Sequence, residues 1–308
     1  MEYKTLGVML HNKCTAECDI CSVECSPSCN LHLDLDRVKT FIESCKETTI
    51  KSISFTGGEP FLLYEDLLDL VEFSNGLGFA PTAVTNGFWA RDYEETYNKL
   101  ASLRKSGLTH LNVSYDRYHA KYVPIKNINN IAKACNALDM MVEFAIVRTK
   151  GEKIGDLVDN FAEDAKVINF LVAQCEPAGY AGKRLPEEAF FRNYQTDHLA
   201  CPYHGIVNLC YDGRIFPCCS HFVFETNLTI GNYKDMLMPE VLHKIRNNCL
   251  LYVLRNYGFD PFIEMRDGIV DRDERVSSPC ELCARFFGDD LTYYVEPVKE
   301  FLKQIKSK

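Results

Sequence analysis

The chain has 308 residues, of which 46% are hydrophobic, and a formal net charge of −9 at pH 7. This size and apolar content suffice for one large domain, or for one domain with a smaller appendage. An acidic chain is not expected to bind nucleic acid, because nucleic-acid binding requires a basic surface. No run of about 18 uncharged apolar residues is present, so no membrane span is expected. The start of the chain lacks the apolar core of a signal peptide, which predicts a cytoplasmic protein.

Fifteen cysteines are unusually many for this length. In a short secreted chain they would indicate disulfides, but in an enzyme-sized chain without a signal peptide metal binding is the better interpretation. Cys14, Cys18 and Cys21 have the spacing C-x3-C-x2-C directly after the apolar run Leu6–Leu10. Thiolates bind iron–sulfur clusters, and a four-iron cubane normally takes four of them. Three close cysteines therefore predict a cluster with one open iron, with a zinc knot as the alternative because C-x2-C is also a zinc spacing.

The first half of the chain alternates between apolar, β-branched runs and helical patterns. The predicted strands are Leu6–Leu10, Ile53–Phe55, Pro81–Val84, His110–Val113, Val142–Val147 and Val167–Val172. The predicted helices are Leu35–Cys45, with Asp34 as its cap, Leu63–Leu70, Tyr93–Leu103 and Ile128–Leu138. This alternation predicts an α/β fold with parallel strands and right-handed crossovers. Six units are too few to close an eight-unit barrel, and a partial (β/α)6 barrel would leave a lateral opening.

The pattern changes after Tyr180, where the alternation stops and cysteines reappear. Asp212-Gly213 lies between the apolar runs Ile206–Cys210 and Arg214–Cys218 and predicts a hairpin, because glycine accepts the positive φ of a tight turn. Further helices are predicted near Met236–Leu254 and Tyr294–Ile305. We place a domain boundary near residue 182, which divides the chain into 1–182, a partial barrel, and 183–308, a small cysteine-containing domain.

Several predicted strands are followed directly by residues suited to binding a ligand. They are Gly57, Gly58 and Glu59 after the second strand, Asn86 after the third, Ser114 and Asp116 at the end of the fourth, Arg148 after the fifth and Glu176 after the sixth. Ligands of parallel β/α folds bind at the carboxyl ends of the strands, so these residues are predicted to face one site. Adjacent glycines let a backbone approach a ligand, and a carboxylate there can bind an ammonium group. Taken singly, each could equally be a turn, a helix cap or a surface charge.

Together, C-x3-C-x2-C and the Gly57-Gly58-Glu59 motif one β/α unit later resemble the radical S-adenosylmethionine (radical SAM) enzymes. In these enzymes SAM occupies the open iron of a [4Fe-4S] cluster, here one bound by Cys14, Cys18 and Cys21. The resemblance also implies the partial-barrel fold and an electron donor such as flavodoxin or ferredoxin. It places Ile20 against the adenine, Gly57, Gly58 and Glu59 at the SAM amino group, Asn86 in the cofactor pocket, Ser114 and Asp116 at the ribose hydroxyls, and Arg148 at the carboxylate.

The later cysteines form a second set, in which Cys201 is followed by Gly213 and, after four residues, by Cys218. This spacing resembles the SPASM and twitch extensions of radical SAM enzymes, which hold auxiliary iron–sulfur clusters. The resemblance implies a second [4Fe-4S] cluster in a small C-terminal domain, bound by Cys201, Cys218, Cys280 and Cys283. A zinc ribbon is the alternative, because cysteine pairs around a hairpin also suit tetrahedral zinc.

Three further cysteines have no ligand role in this scheme. Cys210 and Cys249 are predicted to be packing residues. Cys219, which directly follows a predicted ligand, could be an alternative ligand or a thiol aimed into the active site.

Six phrases resemble one branch of the family, the radical SAM peptide epimerases, which convert L- to D-residues in ribosomally made peptides. The phrases are Ile53–Glu59, Thr85–Trp89, Val113–His119, Phe216–Ser220, Phe224–Thr226 and Leu254–Gly258. In such enzymes an adenosyl radical removes a Cα hydrogen, and a cysteine thiol returns one from the opposite face. The resemblance makes Cys219 that catalytic donor and a ribosomally made precursor peptide the substrate.

Two other functions are open at this point. A radical SAM enzyme of this kind could instead form thioether or carbon–carbon cross-links in a peptide, or carry out another oxidising maturation. A protein of a different class, a zinc-bearing or scaffold protein that binds no SAM, would explain the cysteines alone.

Overall fold

The computed structural model describes residues 2–155, 161, 169–202, 205–266 and 268–306. Six neighbouring strands pair in parallel and in chain order. They are β1 Thr5–Met9, β2 Ser52–Thr56, β3 Ala80–Thr85, β4 His110–Ser114, β5 Met141–Arg148 and β6 Asn169–Gln174. The predicted parallel arrangement is confirmed, although the first two residues of the predicted sixth strand, 167 and 168, lie outside the described residues.

Four long helices connect these strands and cover the sheet. They are α1 Leu35–Glu43, α2 Tyr64–Gly76, α3 Tyr93–Lys105 and α4 Ile125–Ala137. The predicted cap of α1 is confirmed, since the Asp34 carboxylate accepts a hydrogen bond from the N–H of Arg37 at 2.9 Å. Val38, Phe41 and Ile42 of this helix are fully buried, as expected from their spacing on one helical face.

The C-terminal part of the chain extends the same sheet. The strands that follow in the chain are β7 Tyr194–Gln195, β8 Ile206–Leu209, β9 Arg214–Phe216, β10 Gly231–Asn232 and β11 Arg275–Val276. β8 pairs in parallel with β1, and β9 and β10 add antiparallel strands beyond it, while β7 and β11 form a separate pair. The predicted hairpin is confirmed, with Gly213 at a φ of +90° in its turn.

The sheet has β6 at one end and β10 at the other, so within the described residues it does not close into a barrel. An open sheet of parallel β/α units agrees with the predicted partial barrel. The predicted boundary near residue 182 stays a prediction, and one continuous apolar core contains residues from both sides of it, from Tyr3 to Val298.

In the described part of the C-terminal half, six further helices are present. They are α5 Tyr180–Arg184, α6 Met238–Arg246, α7 Cys249–Tyr257, α8 Asp260–Met265, α9 Pro279–Phe287 and α10 Val295–Lys306. The helix predicted over Met236–Leu254 is two helices, because the Asn248 side chain caps α7 by accepting from the N–H of Leu251 at 3.0 Å. An asparagine that bonds its own backbone in this way starts a new helix in place of continuing the old one. None of the described helices is long and apolar enough to cross a membrane.

Candidate functional site

The loop after β1 carries the three cysteines of the C-x3-C-x2-C motif to the wall of one cavity of about 220 Å³. The loop is folded back on itself, because the N–H of Cys14 donates to the carbonyl oxygen of Ser26 at 3.1 Å. A tight turn brings the second and third cysteines together, with the N–H of Cys21 donating to the carbonyl oxygen of Cys18 at 3.0 Å. These backbone bonds place three soft donors on one side of a single cavity.

The three thiols have different surroundings. Burial raises the pKa of Cys14 to about 12. The pKa of Cys21 is lowered to about 6, chiefly by a hydrogen bond from the Cys25 thiol, and the Cys25 N–H adds another at 3.3 Å. Cys25 itself is buried and lines the same cavity, although no ligand role was predicted for it. Cluster assembly needs thiolates, and the lowered pKa of Cys21 favours the thiolate form of that side chain.

Gly57 and Gly58 follow β2, and side chains do not fit there because the backbone of the cysteine loop passes close to both residues. A Cβ atom on Gly57 would lie 2.4 Å from the carbonyl oxygen of His11, and one on Gly58 would lie 1.9 Å from that of Lys13. Gly57 also has a φ of +136°, which side chains rarely adopt. The Gly58 N–H donates to the His11 carbonyl at 2.6 Å, so the two loops are locked together. Both glycines line the cavity.

Glu59 lies behind the cavity wall with no exposed surface. Its carboxylate accepts hydrogen bonds from the Thr85 hydroxyl at 2.8 Å, the Asn86 N–H at 2.7 Å and the Phe61 N–H at 3.1 Å. Burial raises the pKa of Glu59 to about 7 despite these donors. The carboxylate therefore holds the loop after β3, and its predicted contact with the SAM amino group stays a prediction.

Asn86 is positioned by that carboxylate and faces the cysteine loop. Its side-chain amide donates to the Thr15 hydroxyl at 3.2 Å and to the Cys14 sulfur at 3.6 Å. Asn86 lines the cavity, and so do Ile20 and Ser114. Five of the predicted SAM contacts thus share one cavity with the three cysteines: Ile20, Gly57, Gly58, Asn86 and Ser114.

Asp116 is buried beneath the cavity, with 1% of its surface exposed. Its carboxylate accepts from the N–H groups of Tyr118 and Val147, at 2.9 and 3.3 Å, and lies 2.9 Å from Nδ1 of His119. Burial opposes charging of His119, but the adjacent Asp116 carboxylate outweighs it and raises the pKa of His119 well above its usual value. His119 lines the cavity, whereas Asp116 does not. Asp116 therefore influences the cavity through its contact with the His119 imidazole.

Arg148 lies outside the cysteine cavity, in a neighbouring hollow of about 480 Å³. Its guanidinium carbon is 4.9 Å from the centre of the Phe191 ring, which fixes the side chain by a cation–π contact. Val147 lines both spaces and separates them. The predicted contact between Arg148 and the SAM carboxylate stays a prediction.

Another part of the cavity wall combines a predicted residue with residues that the sequence patterns did not identify. Gln174 ends β6, and Cys175 and the predicted Glu176 follow it; all three line the cavity. His221 comes from the C-terminal half, and its Nδ1 lies 3.1 Å from the Glu176 carboxylate. Burial acts to raise the pKa of Glu176, but the hydrogen bond from His221, the Ser278 hydroxyl and the charge of His221 together outweigh it and lower that pKa. A single histidine does not by itself indicate a functional site in a sequence. The position of His221, two residues after Cys219, is the sequence signal that could have identified it.

The second cysteine set is assembled from three separate segments. Cys218 follows β9, Cys280 and Cys283 lie one turn apart on α9, and Cys201 precedes β8. The pKa of Cys218 is raised to about 12 and that of Cys280 to about 11, chiefly by burial, and the charge of the neighbouring Cys201 contributes to both shifts. The structure therefore brings the four predicted auxiliary ligands into mutual electrostatic range.

Other cysteines of this half differ in exposure. Cys219 is half-buried, and burial raises its pKa. Cys210 is buried as predicted, with 1% exposed. Cys249 was predicted to pack in the core and is exposed, because it is the first residue of α7 after the Asn248 cap.

The spacing of the sulfur atoms bears on the choice between a cluster and zinc. Tetrahedral zinc with Zn–S bonds of about 2.3 Å holds its sulfur atoms about 3.8 Å apart. Within the described residues, no three cysteine sulfurs lie within 4.8 Å of one another; one set of other donors does, namely Asp197, His198 and Asp260. A cubane bonds each thiolate to a different iron, so its ligands are farther apart.

Residues 8–178 match the family model of the Radical SAM superfamily. The chain belongs to this superfamily. It is accordingly a radical SAM enzyme, and the superfamily implies a [4Fe-4S] cluster and SAM. The cavity formed by the cysteine loop and the strand ends lies within the matched residues, except for His221.

Two curated relatives and one solved structure are similar over most of the chain. The putative peptide biosynthesis protein YydG of Bacillus subtilis is 28% identical over 319 residues, covering 99% of both chains. A GTP 3′,8-cyclase of Listeria welshimeri is 28% identical over 269 residues, covering 74% of this chain and 77% of the cyclase. The structure of native anSMEcpe with bound AdoMet and Cp18Cys peptide has a TM-score of 0.59 at 13% identity, covering 98% of this chain and 99% of that chain. This structural likeness supports the partial-barrel fold.

Proposed function

We propose that this radical SAM enzyme modifies a ribosomally made precursor peptide, and that it converts L-residues of the peptide to D-residues. Its full-length relative YydG is named for peptide biosynthesis, and the anSMEcpe structure contains a peptide. The observation that carries the proposal is the position of the segment Cys218–His221. This segment ends in the same cavity as the three cysteines of the β1 loop, because His221 lines it.

The topology explains how a distant segment reaches this cavity. β8 pairs with β1 in parallel, with Thr5 opposite Ile206, so both strands end at the same edge of the sheet. β9 returns beside β8 and is followed, after Pro217, by Cys218 and Cys219. The bond between His221 and Glu176 then fastens the segment to the end of β6. A peptide in the cavity would thus lie between the loop after β1 and the segment Cys218–His221.

In the proposed site Cys14, Cys18 and Cys21 bind the first [4Fe-4S] cluster, and SAM contacts the cavity residues named above. When bound and reduced, this pair supplies a 5′-deoxyadenosyl radical, which takes a hydrogen atom from the peptide Cα. Ile20, Asn86 and Ser114 line the space for SAM, while Glu59 and Asp116 hold those walls from behind. The protein orients the reactants and excludes water.

Cys219 completes the proposed reaction. Its S–H bond breaks and a C–H bond forms on the opposite face of the peptide Cα, which inverts the residue and leaves a sulfur radical. One electron and one solvent proton then restore the thiol. We propose that Cys201, Cys218, Cys280 and Cys283 would hold a second cluster able to supply that electron, and that a flavodoxin or ferredoxin would provide electrons to the enzyme.

The test is peptide mass after turnover of the anaerobically reconstituted enzyme in deuterated water. The thiol hydrogen exchanges with solvent, so an epimerised residue gains one deuteron at Cα and is released as a D-amino acid on hydrolysis. Loss of two hydrogens from the peptide, without solvent deuterium at Cα, would identify a cross-linking enzyme and contradict the proposal.

A further inference from the structure

The segment Leu254–Gly258 resembles the epimerase family, but the proposed reaction gives it no role. Within it, Arg255 on α7 extends toward the backbone that precedes Cys218. Its Nη2 donates a hydrogen bond to the carbonyl oxygen of Pro217 at 3.3 Å and another to the hydroxyl oxygen of Tyr3 at 2.5 Å. The Tyr3 hydroxyl donates to the same Pro217 carbonyl at 2.8 Å. Three segments far apart in the chain therefore meet at the residue before Cys218.

This contact is well shielded from solvent. Tyr3 is 3% exposed, Pro217 is buried and Arg255 is half-buried. The guanidinium also lies over the Tyr3 ring, 5.5 Å from its centre. The two hydrogen bonds from Nη2 hold the guanidinium, a permanent cation, in place beside the Pro217 carbonyl.

We propose that Arg255 sets the reduction potential of the auxiliary cluster and, together with Tyr3, positions the Cys218 ligand. The inference rests on the proposed second cluster. A cubane with four thiolates is negatively charged, and the electron it gains makes it more so. A fixed cation nearby stabilises the reduced form and makes the potential more positive. The electron that restores Cys219 would then come from a cluster whose potential is adjusted by one arginine.

The potential can be measured without any turnover. In a background that lacks the first cluster (Cys14→Ala, Cys18→Ala and Cys21→Ala), an anaerobic redox titration followed by electron paramagnetic resonance reports the auxiliary cluster alone. We expect the midpoint to shift to a more negative potential in Arg255→Gln, which keeps a donor for the Pro217 carbonyl but removes the charge. Arg255→Lys keeps the charge and should return the midpoint toward that of the parent.

Two further variants separate charge from position. Tyr3→Phe removes one hydrogen bond to Pro217 and leaves all charges, so its shift should be smaller than that of Arg255→Gln. Arg246→Gln is the matched control, since Arg246 lines the same surface hollow as Arg255 but its Nε bonds the Leu242 carbonyl. A midpoint in Arg255→Gln equal to that of the parent, at equal iron content, would overturn the role of Arg255. A background protein that assembles no iron would instead overturn the second cluster itself, and the inference with it.

Discussion

The two cysteine sites of this enzyme are built in opposite ways. The first takes Cys14, Cys18 and Cys21 from one loop, which is closed by its own backbone hydrogen bonds and locked to the glycine pair. The second takes cysteines from before β8, after β9 and along α9, so it exists only when those elements have packed together. A local site is specified by spacing, whereas a dispersed site depends on the whole fold. Substitutions should therefore affect the two sites differently.

The largest effect is expected from removing a ligand of the local site. Cys18→Ala should lose the iron of the first cluster and all SAM cleavage, because the other two cysteines cannot hold a cubane. In Cys283→Ala the enzyme should still cleave SAM while forming little D-residue. Iron content and 5′-deoxyadenosine yield measure this contrast. SAM cleavage by Cys18→Ala at the wild-type level would refute the assignment of the first site.

Cys219→Ala should separate radical formation from product formation. The variant keeps every proposed ligand, so it should form 5′-deoxyadenosine with peptide present but release no D-residue. Chiral amino-acid analysis of the hydrolysed peptide measures the product. Cys210→Ala is the control, since Cys210 is buried beside the hairpin and has no proposed role. An unchanged D-residue yield in Cys219→Ala would remove Cys219 from the mechanism.

Gly58→Ala tests how the local site is locked. The added Cβ would lie 1.9 Å from the Lys13 carbonyl oxygen, so the two loops must move apart. We expect a loss of about 2 kcal/mol or more in the free energy of unfolding and weaker iron loading. Gly76→Ala, in α2, has nothing within 4 Å and should gain up to about 1 kcal/mol from better helix propensity. Equal denaturation midpoints for the two variants would contradict this account.

Glu59 should make stability depend on pH. Its pKa in the folded protein is about 7, above the ordinary value of 4.5, so between these values the folded state binds more protons than the unfolded state. The corresponding stability is present below pH 4.5 and is lost as the pH rises through about 7, by up to about 3 kcal/mol. Glu59→Gln should lose this part of the slope. Urea titrations of both proteins at several pH values measure it, and parallel slopes would show that Glu59 titrates normally.

The smallest effect is expected from breaking the hydrogen bond between His221, in the C-terminal half of the chain, and Glu176, which follows β6. His221→Ala removes the hydrogen bond to Glu176, which costs about 1–2 kcal/mol. The ratio of D-residue to 5′-deoxyadenosine should fall by about tenfold, while SAM cleavage itself changes little. His243→Ala, on the exposed surface of α6, serves as the control. A matching fall in both products would place His221 in SAM binding.

Much of the fold could be predicted from hydrophobic periodicity and from the residues that cap helices and form turns. The strand pattern, the Asp34 cap and the hairpin at Gly213 are local, because each depends on a few neighbouring residues. The break at Asn248 and the exposure of Cys249 were missed, since the helical pattern continues across a residue whose side chain caps the next helix. Which of Glu59 and His119 faces the cavity could not be predicted either. Strand ends converge on one edge, but the direction of a side chain depends on what packs around it.

By itself, the sequence determined the family of the enzyme and predicted the ligands of the first site, because the C-x3-C-x2-C motif and the glycine pair each involve only a few neighbouring residues. Only the tertiary structure decided that β8 pairs with β1 and brings His221 into the cavity, and that Arg255 and Tyr3 meet before Cys218. These contacts join residues that lie about 200 or more positions apart in the chain. Their energy depends on sheet register and core packing, which no short stretch of sequence contains.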